Sequence, residues 1–184
     1  MSKDSYLLDN NIFSALCDGE HPKHSQAEDF LREIGKDFVF VPYIVIAEVR
    51  YGCNVVFKKD IQRQNNIEKY IKGFERSAYT YKAIGKHTIT PYSQIRAKLF
   101  RKYGTKDAKQ RIKEKLPEDL MDISKSKSLG IDENDLWICA IALEYNLVLV
   151  TNDKMTRIKE VAMEIAKEIA PNFDIKKWSK GEIE

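Results

Sequence analysis

The pattern of apolar and polar positions is most pronounced between residues 131 and 153. Every side chain from 136 to 143 is apolar, so a helix over these residues would be buried on all sides. Asp132 precedes this run as a candidate N-cap, and Asn146 follows it as a candidate C-terminal stop. Residues 147–150 then form the short apolar run that a parallel strand covered on both faces requires. The pattern predicts a buried helix followed by a central strand.

Short apolar runs alternate with helical patterns in the rest of the chain. Further strands are predicted at 6–8, 38–41 and 87–90, and residues 173–178 are predicted to form a final edge strand or a tail. Helices are predicted to start after residue 9 and to cover 25–34, 43–52, 58–78, 92–103 and 155–169. The β-branched residues of 43–52 leave a strand open there, although the length of the segment favours a helix. Because strands that alternate with helices form βαβ units, we expect an α/β fold with a central, mainly parallel sheet and helices on both faces.

Length and composition are those of one globular domain. With 184 residues, 43% of them hydrophobic, the chain can bury one substantial core, and we expect a single domain over residues 1–184. No apolar run approaches the roughly 20 residues that span a bilayer, and the N-terminus lacks the long apolar stretch of a signal peptide. Cys17, Cys53 and Cys139 are too widely spaced to suggest a disulfide framework. We therefore expect a cytoplasmic protein, not attached to a membrane, with cysteines that act as small core residues.

The net charge of +3 conceals a strong division along the chain. Residues 56–115 carry 17 basic and 5 acidic side chains, whereas residues 1–55 carry 5 and 9, and residues 116–184 carry 9 and 14. Such a division suits a protein that holds a polyanion on one surface and a cation on another. Solvated helical faces would produce the same division. The arrangement of the acids decides between these two interpretations.

Four acidic residues stand out by their positions. Asp9 and Asp153 each follow an apolar strand, at the edge where open parallel sheets bind ligands. Asp135 lies in the first turn of the buried helix, and Glu48 interrupts an apolar segment. Carboxylates that converge repel one another unless a divalent cation is present, and a site of oxygen ligands alone selects Mg²⁺ or Mn²⁺. The structural alternatives are helix capping for the three aspartates and an ion pair with Arg50 for Glu48.

Four short segments also resemble the signature of a known family. They are YLLDNN at 6–11, AEVRYG at 47–52, NDLWICA at 134–140 and LVTND at 149–153. In this order they resemble the four signature segments of PIN-domain ribonucleases, and residues 173–178 are similar to the C-terminal strand of that family. The likeness is greatest to the VapC-type toxins of bacterial and archaeal toxin–antitoxin modules.

The resemblance implies a divalent-metal-dependent endoribonuclease with Mg²⁺ or Mn²⁺ as its cofactor. The implied catalytic and metal-binding residues are Asp9, Glu48, Asp135 and Asp153, and the implied supporting polar residues are Asn11, Asn134 and Thr151. A toxin of this type implies an RNA substrate and a cognate antitoxin as partners, and we expect a homodimer.

A lysine-rich insertion around residues 105–127 is longer than in compact relatives. We expect it to form an exposed arm or a loop with a short helix, because it has few apolar residues and is interrupted by Pro117. Its basic side chains are predicted to contact RNA phosphates without reading the base sequence. These side chains are Lys106, Lys109, Arg111, Lys113 and Lys115. An antitoxin tail that covers a basic groove would use the same surface.

Two other functions remain open on the sequence alone. Asn10 and Val45 stand where Ser or Thr often occurs in the family, which suits a PIN-like module that binds RNA or a protein without cleaving. A phosphoacceptor domain of the receiver type is also doubly wound, with acids at its strand ends. Such a domain needs paired acids after the first strand, whereas Asn10 and Asn11 follow Asp9 here.

Overall fold

The computed structural model describes residues 4–35, 38–76, 80–122 and 127–179. Within them, strands cover Tyr6–Leu8 (β1), Val39–Pro42 (β2), Thr80–Lys82 (β3), Met121–Asp122 (β4), Lys127–Ser128 (β5), Val148–Val150 (β6) and Asp174–Lys176 (β7). Helices cover Asn10–Cys17 (α1), His24–Ile34 (α2), Tyr43–Val56 (α3), Ile61–Arg76 (α4), Ile89–Tyr103 (α5), Glu133–Glu144 (α6) and Thr156–Ile169 (α7).

Five strands form one sheet in the order β3-β2-β1-β6-β7, and β4 pairs with β5 in a separate antiparallel ribbon. β1 pairs in parallel with both β2 and β6, and β2 pairs in parallel with β3. Leu7 and Leu8 of β1 are fully buried, as are Leu149 and Val150 of β6. The predicted α/β class and the mainly parallel sheet are confirmed, and the structure supplies the strand order that the sequence could not.

The chain divides into two compact units. The first contains the described residues up to 83 together with 147–153 and 175–179, and the second contains 84–146 and 154–174. In the first unit α1 packs against α2, α3 and α4, and the ring of Phe13 meets that of Phe74 edge-on at 5.2 Å. In the second unit α5, α6 and α7 pack against one another. The organisation of the whole chain as a single domain stays a prediction.

The strand predicted at 87–90 is wrong. Ile89 begins α5, and Thr88 is buried as its N-cap residue, with its hydroxyl accepting a hydrogen bond from the backbone N–H of Gly85 at 2.8 Å. Pro91 lies in the first turn of the helix, where a missing N–H costs nothing. The β-branched residues suggested a strand because propensity is read locally, whereas the packing of α5 against α6 and α7 decides the outcome. The strand beside β2 is β3.

The segment at 43–52 is helical, which settles the alternative left open by its β-branched residues. It starts at Tyr43 as predicted, because Pro42 ends β2 and is the N-cap residue of α3. The helix also continues through Gly52 to Val56, because Gly52 does not adopt the positive φ with which a glycine ends a helix. α4 is shorter than the predicted 58–78, and residues 77–78 lie outside the described residues.

Residues 105–115 form a short antiparallel turn, named here the basic hairpin, and the short helix expected in the insertion is the 3₁₀ helix Pro117–Asp119 that follows it. Lys106 and Ile112 are bridged in antiparallel fashion, and the N–H of Lys113 donates to the carbonyl of Thr105 at 3.0 Å. Gln110 adopts the left-handed conformation, with φ of 60°, at the tip. Residues 123–126 of the predicted insertion lie outside the described residues.

The three cysteines are buried and free, as predicted. None of the described helices combines the length and the apolar content that crossing a bilayer requires.

Candidate active site

The carboxyl ends of β1 and β6 carry the polar residues of the candidate site. The two strands are paired so that Leu8 lies opposite Val150, and the N–H of Asp9 donates to the carbonyl of Val150 at 3.1 Å. Asp9 and Thr151 are therefore the first residues beyond the two strands, and Asp153 follows two residues later. Adjacent parallel strands thus bring three of the predicted site residues to one edge of the sheet.

The side-chain amide of Asn11 joins these residues. Its Nδ2 donates to Oδ2 of Asp9 at 3.1 Å, to Oγ1 of Thr151 at 2.8 Å and to Oδ2 of Asp153 at 3.0 Å. The Thr151 hydroxyl donates in turn to Oδ2 of Asp9 at 2.5 Å and accepts the N–H of Asp153 at 3.0 Å. One amide nitrogen therefore fixes the directions in which two carboxylates face.

The orientation of the Asn11 amide is determined by its other end. Its Oδ1 accepts the indole N–H of Trp178 at 2.7 Å and the backbone N–H of Asn152 at 3.2 Å. A flipped amide would place an N–H against both donors, so this network selects the orientation that turns Nδ2 toward the acids. The side chain of Asn152 is itself held by Ser179, whose Oγ accepts from its Nδ2 at 2.6 Å. Sequence reasoning missed Trp178, although a partly buried indole N–H needs an acceptor.

The two carboxylates differ in their exposure. Asp9 is 2% exposed, and its Oδ1 accepts the backbone N–H of Asn10 at 2.7 Å, so it also caps α1. Asp153 is exposed. Donors around Asp9 stabilise its ionised form, which compensates in part for burial. The capping alternative is therefore realised for Asp9, and it coexists with a carboxylate oxygen that faces Asn11 and Thr151.

The carboxylate oxygens of this site are of the kind that binds a hard divalent cation. Two carboxylate oxygens, Oδ2 of Asp9 and Oδ2 of Asp153, lie within 3.1 Å of one nitrogen. Across the four described stretches, no three His, Cys, Asp or Glu side chains are grouped so that they could hold a metal ion. Two carboxylates are enough for Mg²⁺, which keeps several waters and binds one or two carboxylates together with substrate phosphates. The chemistry of Asp9 and Asp153 therefore fits Mg²⁺ or Mn²⁺.

Glu48 is half-buried on α3 and lines a cavity of about 180 Å³ in the first unit, together with Asn10 and Asp18. The guanidinium of Arg50 is directed to Glu68, donating to its two carboxylate oxygens at 3.0 and 2.9 Å, so an ion pair with Arg50 does not explain Glu48. That Glu48 shares an ion with Asp9 stays a prediction.

Two further groups at this cavity affect its chemistry. The amide oxygen of Asn10 is buried and accepts no hydrogen bond within the part of the chain that the structure describes. Asp18 is 7% exposed and receives two hydrogen bonds from Arg63, at 3.0 and 2.6 Å. Burial opposes the ionised form of Asp18, but the hydrogen bonds and the charge of Arg63 outweigh it and hold the pKa of Asp18 below its ordinary value. Asp18 is thus occupied by an arginine and is a poor candidate for a metal ligand.

Asp135 lies in the second unit, in the first turn of α6. The N-cap residue Asp132 accepts the N–H of Asp135 at 3.0 Å, and Oδ2 of Asp135 accepts the N–H of Asp132 at 3.5 Å. The first contact is an ordinary hydrogen bond, whereas the second is long. Asp132 therefore caps the helix, and the carboxylate of Asp135 is held only loosely by that role. Asn134, beside it, is half-buried.

All five basic residues predicted to bind RNA are exposed. Four of them, Lys106, Lys109, Lys113 and Lys115, extend from the basic hairpin. The fifth, Arg111, forms a salt bridge with Asp107 at 2.8 Å, which reduces its share of the positive potential.

Several solved structures resemble the fold of this chain. One is VapBC2 from Rickettsia felis bound to a DNA fragment from its promoter. Its sequence is 23% identical to that of this chain, the TM-score is 0.58, and the alignment covers 95% of this chain and 98% of that chain. DNA-bound VapBC from Salmonella typhimurium is 18% identical with a TM-score of 0.55, over 96% and 99%. VapBC-1 from nontypeable Haemophilus influenzae is 21% identical with a TM-score of 0.52, over 95% and 98%. These likenesses establish the fold, and no curated protein matches the sequence.

A family model described as the PIN domain matches residues 6–163. The match spans all four segments that carried the resemblance, which is thereby confirmed. It includes β1 and β6 with the polar residues at their carboxyl ends. The chain belongs to the PIN-domain family.

Proposed function

We propose that this protein is a divalent-metal-dependent endoribonuclease that acts as the toxin of a toxin–antitoxin pair in the cytoplasm. The observation that carries the proposal is the pair of carboxylates, Asp9 and Asp153, that Asn11 orients at the carboxyl ends of β1 and β6. Neither packing nor capping alone requires two acids to be directed at one amide.

In this proposal Asp9 and Asp153 bind Mg²⁺ or Mn²⁺, and Glu48 and Asp135 complete the acidic set. The ion, when bound, supplies Lewis-acid stabilisation of the charge that develops on the phosphodiester. Asn11, whose Nδ2 donates to both carboxylates, would hold Asp9 and Asp153 in place to bind the ion. Thr151 has a supporting role because its hydroxyl holds Asp9 and its Oγ1 accepts the N–H of Asp153.

The proposed RNA substrate is supported by the charge of the basic hairpin, and the proposed antitoxin partner is supported by the similar solved structures. The exposed lysines of the basic hairpin would contact RNA phosphates, with an affinity that depends on salt and not on sequence. The similar structures from Rickettsia felis and Salmonella typhimurium are VapBC complexes bound to DNA. We extend to this chain the existence of an antitoxin partner, and we expect the toxin to form a homodimer.

The proposal is tested by incubating the purified protein with single-stranded RNA in Mg²⁺, in Mn²⁺ and in EDTA. Cleavage should require the metal and should be lost in Asp9→Asn and Asp135→Asn, while circular dichroism shows that both variants are folded. Removing one carboxylate from a group of acids relieves repulsion, so neither variant should unfold. Cleavage that persists in EDTA would contradict the metal role.

A second candidate, a PIN module that binds RNA without cleaving it, is favoured by Asn10, whose buried amide oxygen accepts no hydrogen bond from the described residues. Asn10 stands where Ser or Thr often follows the first aspartate of the family. If RNA binds but stays intact in both metals, this second function replaces the first.

A further inference from the structure

Arg96 of α5 contacts both the start of α6 and the end of the basic hairpin. The proposed function assigns a catalytic acid to the first and RNA binding to the second. Nη1 of Arg96 donates to Oε1 of Glu133 at 2.6 Å and also contacts Oε2. Its Nη2 donates to the backbone carbonyl of Lys115 at 2.7 Å. Glu133 is the first residue of α6, two residues before Asp135, and Lys115 is the last residue of the basic hairpin. One planar side chain therefore joins the start of α6 to the end of the hairpin.

The guanidinium of Arg96 is fixed by its surroundings. Its Cζ lies 5.2 Å from the ring centroid of Phe100, and Nη1 also donates to the hydroxyl of Tyr92. The Tyr92 ring is stacked on Trp137 of α6, with centroids 3.6 Å apart and planes at 5°, and its hydroxyl is hydrogen-bonded to Glu133. Stacking and forked hydrogen bonds together define one position for the arginine.

The start of α6 is rich in negative charge. The N–H of Glu133 donates to Oε1 of Glu118 at 2.9 Å, and Asp132 and Asp135 lie in the same turn. Arg96 supplies a cation within this group, with its side chain 29% exposed and that of Glu133 28% exposed. Charge compensation alone would need a single contact with Glu133. The second contact, with Lys115, has a different consequence, because it fixes a distance between the basic hairpin and α6.

We propose that Arg96 is a positioning residue that holds the basic hairpin at a fixed offset from the turn of α6 that carries Asp135. An RNA whose phosphates bind along the hairpin would then present the same phosphodiester to Asp135 each time. The distance between the hairpin and Asp135 would decide which bond is cleaved. The inference rests on the proposed nuclease function. It assigns to Arg96 no contact with the RNA.

Arginine suits this role better than lysine. A guanidinium presents separate nitrogens in a rigid fork and can hold two acceptors at once, whereas an ammonium group is a single point of charge on a flexible stem. Arg96→Lys therefore keeps a cation beside Glu133 but gives up the simultaneous contact with Lys115. The five basic side chains of the hairpin are unchanged, so the affinity for RNA should be retained.

The test compares wild type, Arg96→Lys and Arg50→Lys on one end-labelled single-stranded RNA, with kcat, KM and the positions of the product ends measured together. Arg50 is the matched control, because it also makes two hydrogen bonds to one glutamate, Glu68, in the first unit. Arg96→Lys should lower kcat by about 10-fold or more, because small misplacements of a reacting group can cost up to about 100-fold. Its KM should stay within about twofold, and its product ends should shift or spread over neighbouring positions. Arg50→Lys should match wild type in all three measurements.

A purely structural role for Arg96 would reduce the folded fraction without moving the product ends. Unchanged product ends and a kcat equal to that of Arg50→Lys would overturn the inference while the nuclease function stands. A wild-type protein that leaves the RNA intact in Mg²⁺ and Mn²⁺ would overturn both. If Arg96→Lys does not fold, Glu133→Gln replaces it, since that variant weakens the other arm of the same connection and should shift the product ends in the same way.

Discussion

Asn11 is the residue on which the candidate site depends. The amide oxygen Oδ1 accepts hydrogen bonds from Trp178 and from the backbone of Asn152. These contacts turn the amide nitrogen Nδ2 toward Asp9 and Asp153. Because the Asn11 amide is neutral, its hydrogen bonds to the two carboxylates lower the repulsion between them only in part. A cation is the component that would complete the compensation.

Replacing Asn11 with Asp tests this arrangement at the level of one residue. The new carboxylate can still accept from Trp178, but it adds a third negative charge where a donor stood. In EDTA we expect the free energy of unfolding to fall by about 2 kcal/mol, the order of cost for losing a partner at a charged group. Saturating Mg²⁺ should then raise the Tm of Asn11→Asp by more than it raises the Tm of wild type. The reason is that the added carboxylate lets the folded variant bind the ion more tightly than folded wild type does.

The control for this variant is Asn172→Asp, at an exposed asparagine of the second unit. It adds the same charge and should show the same Mg²⁺ response as wild type. Equal Mg²⁺ responses in wild type, Asn11→Asp and Asn172→Asp would show that Asn11 does not border a metal site.

At the scale of elements, the first turn of α6 contains both a cap and a candidate catalytic acid. Asp132 makes the shorter capping hydrogen bond, at 3.0 Å, and Asp135 makes the longer one, at 3.5 Å. The N-cap role of α6 therefore falls mainly to Asp132, and the contribution of Asp135 to the cap is the weaker one.

Two substitutions separate these roles. Asp132→Ala should lower the free energy of unfolding by about 1 kcal/mol, the usual cost of losing an N-cap. Asp135→Asn should lower it by less than Asp132→Ala does, since the capping contact of Asp135 is long, at 3.5 Å. Urea denaturation of both variants measures the difference. If Asp135→Asn is the more destabilising of the two, Asp135 is a capping residue and the catalytic assignment loses its support.

The end of α1 is tied to α4 by the Asp18–Arg63 pair, which makes stability depend on pH. Because the pKa of Asp18 is lower in the folded state than in the unfolded chain, the pair stabilises the protein above the ordinary aspartate pKa. This contribution disappears as the pH falls through the depressed pKa. The gap in unfolding free energy between wild type and Asp18→Asn should be full at neutral pH and should shrink below about pH 4.

The exposed pair Arg32–Asp29 provides the comparison, because its side chains are 67% and 71% exposed and contribute little. Asp29→Asn should therefore show a much smaller gap at every pH. An equally large gap for Asp18→Asn at acidic and neutral pH would mean that its effect does not come from ionisation.

The elements that the sequence predicted correctly are those whose signals are local. Asp132 as a cap, Asn146 at the end of α6 and the acids after β1 and β6 all follow from a few neighbouring residues. The hydrogen bond between Asn11 and Trp178 joins residues 167 positions apart, and no local pattern announces it. The residues at 87–90 were assigned wrongly because β-branched side chains favour strands when packing is ignored. Strand order was unreadable for the same reason: pairing is decided by contacts between distant segments.

For the molecule as a whole, the division of charge is the property that sequence alone revealed. The structure adds that four lysines of the basic hairpin are exposed, whereas Arg111 is paired with Asp107. Elsewhere in the second unit, Lys98 and Lys102 of α5 are paired with Glu164 and Glu160 of α7. The exposed lysines of the basic hairpin are those expected to release counterions when RNA binds.

This expectation is tested by replacing the five basic residues of the hairpin with Ser in an Asp135→Asn background, so that binding is measured without cleavage. The affinity for single-stranded RNA should fall. The slope of log affinity against log salt should flatten by up to roughly 0.7 per lost phosphate contact. Replacing Lys98 and Lys102 with Ser should change the slope less, since those charges are already paired. An unchanged slope in the hairpin variant would mean that RNA approaches along another surface.

The most direct test of the account is the binding of Mn²⁺ to the protein, followed by electron paramagnetic resonance of the free ion during titration. Wild type should bind Mn²⁺, and Asp9→Asn and Asp153→Asn should each weaken binding by about 10-fold or more, as expected when one of few carboxylate ligands is lost. Asp29→Asn should bind as wild type does. Equal Mn²⁺ affinity in wild type, Asp9→Asn and Asp153→Asn would contradict the central claim that these two carboxylates hold the ion.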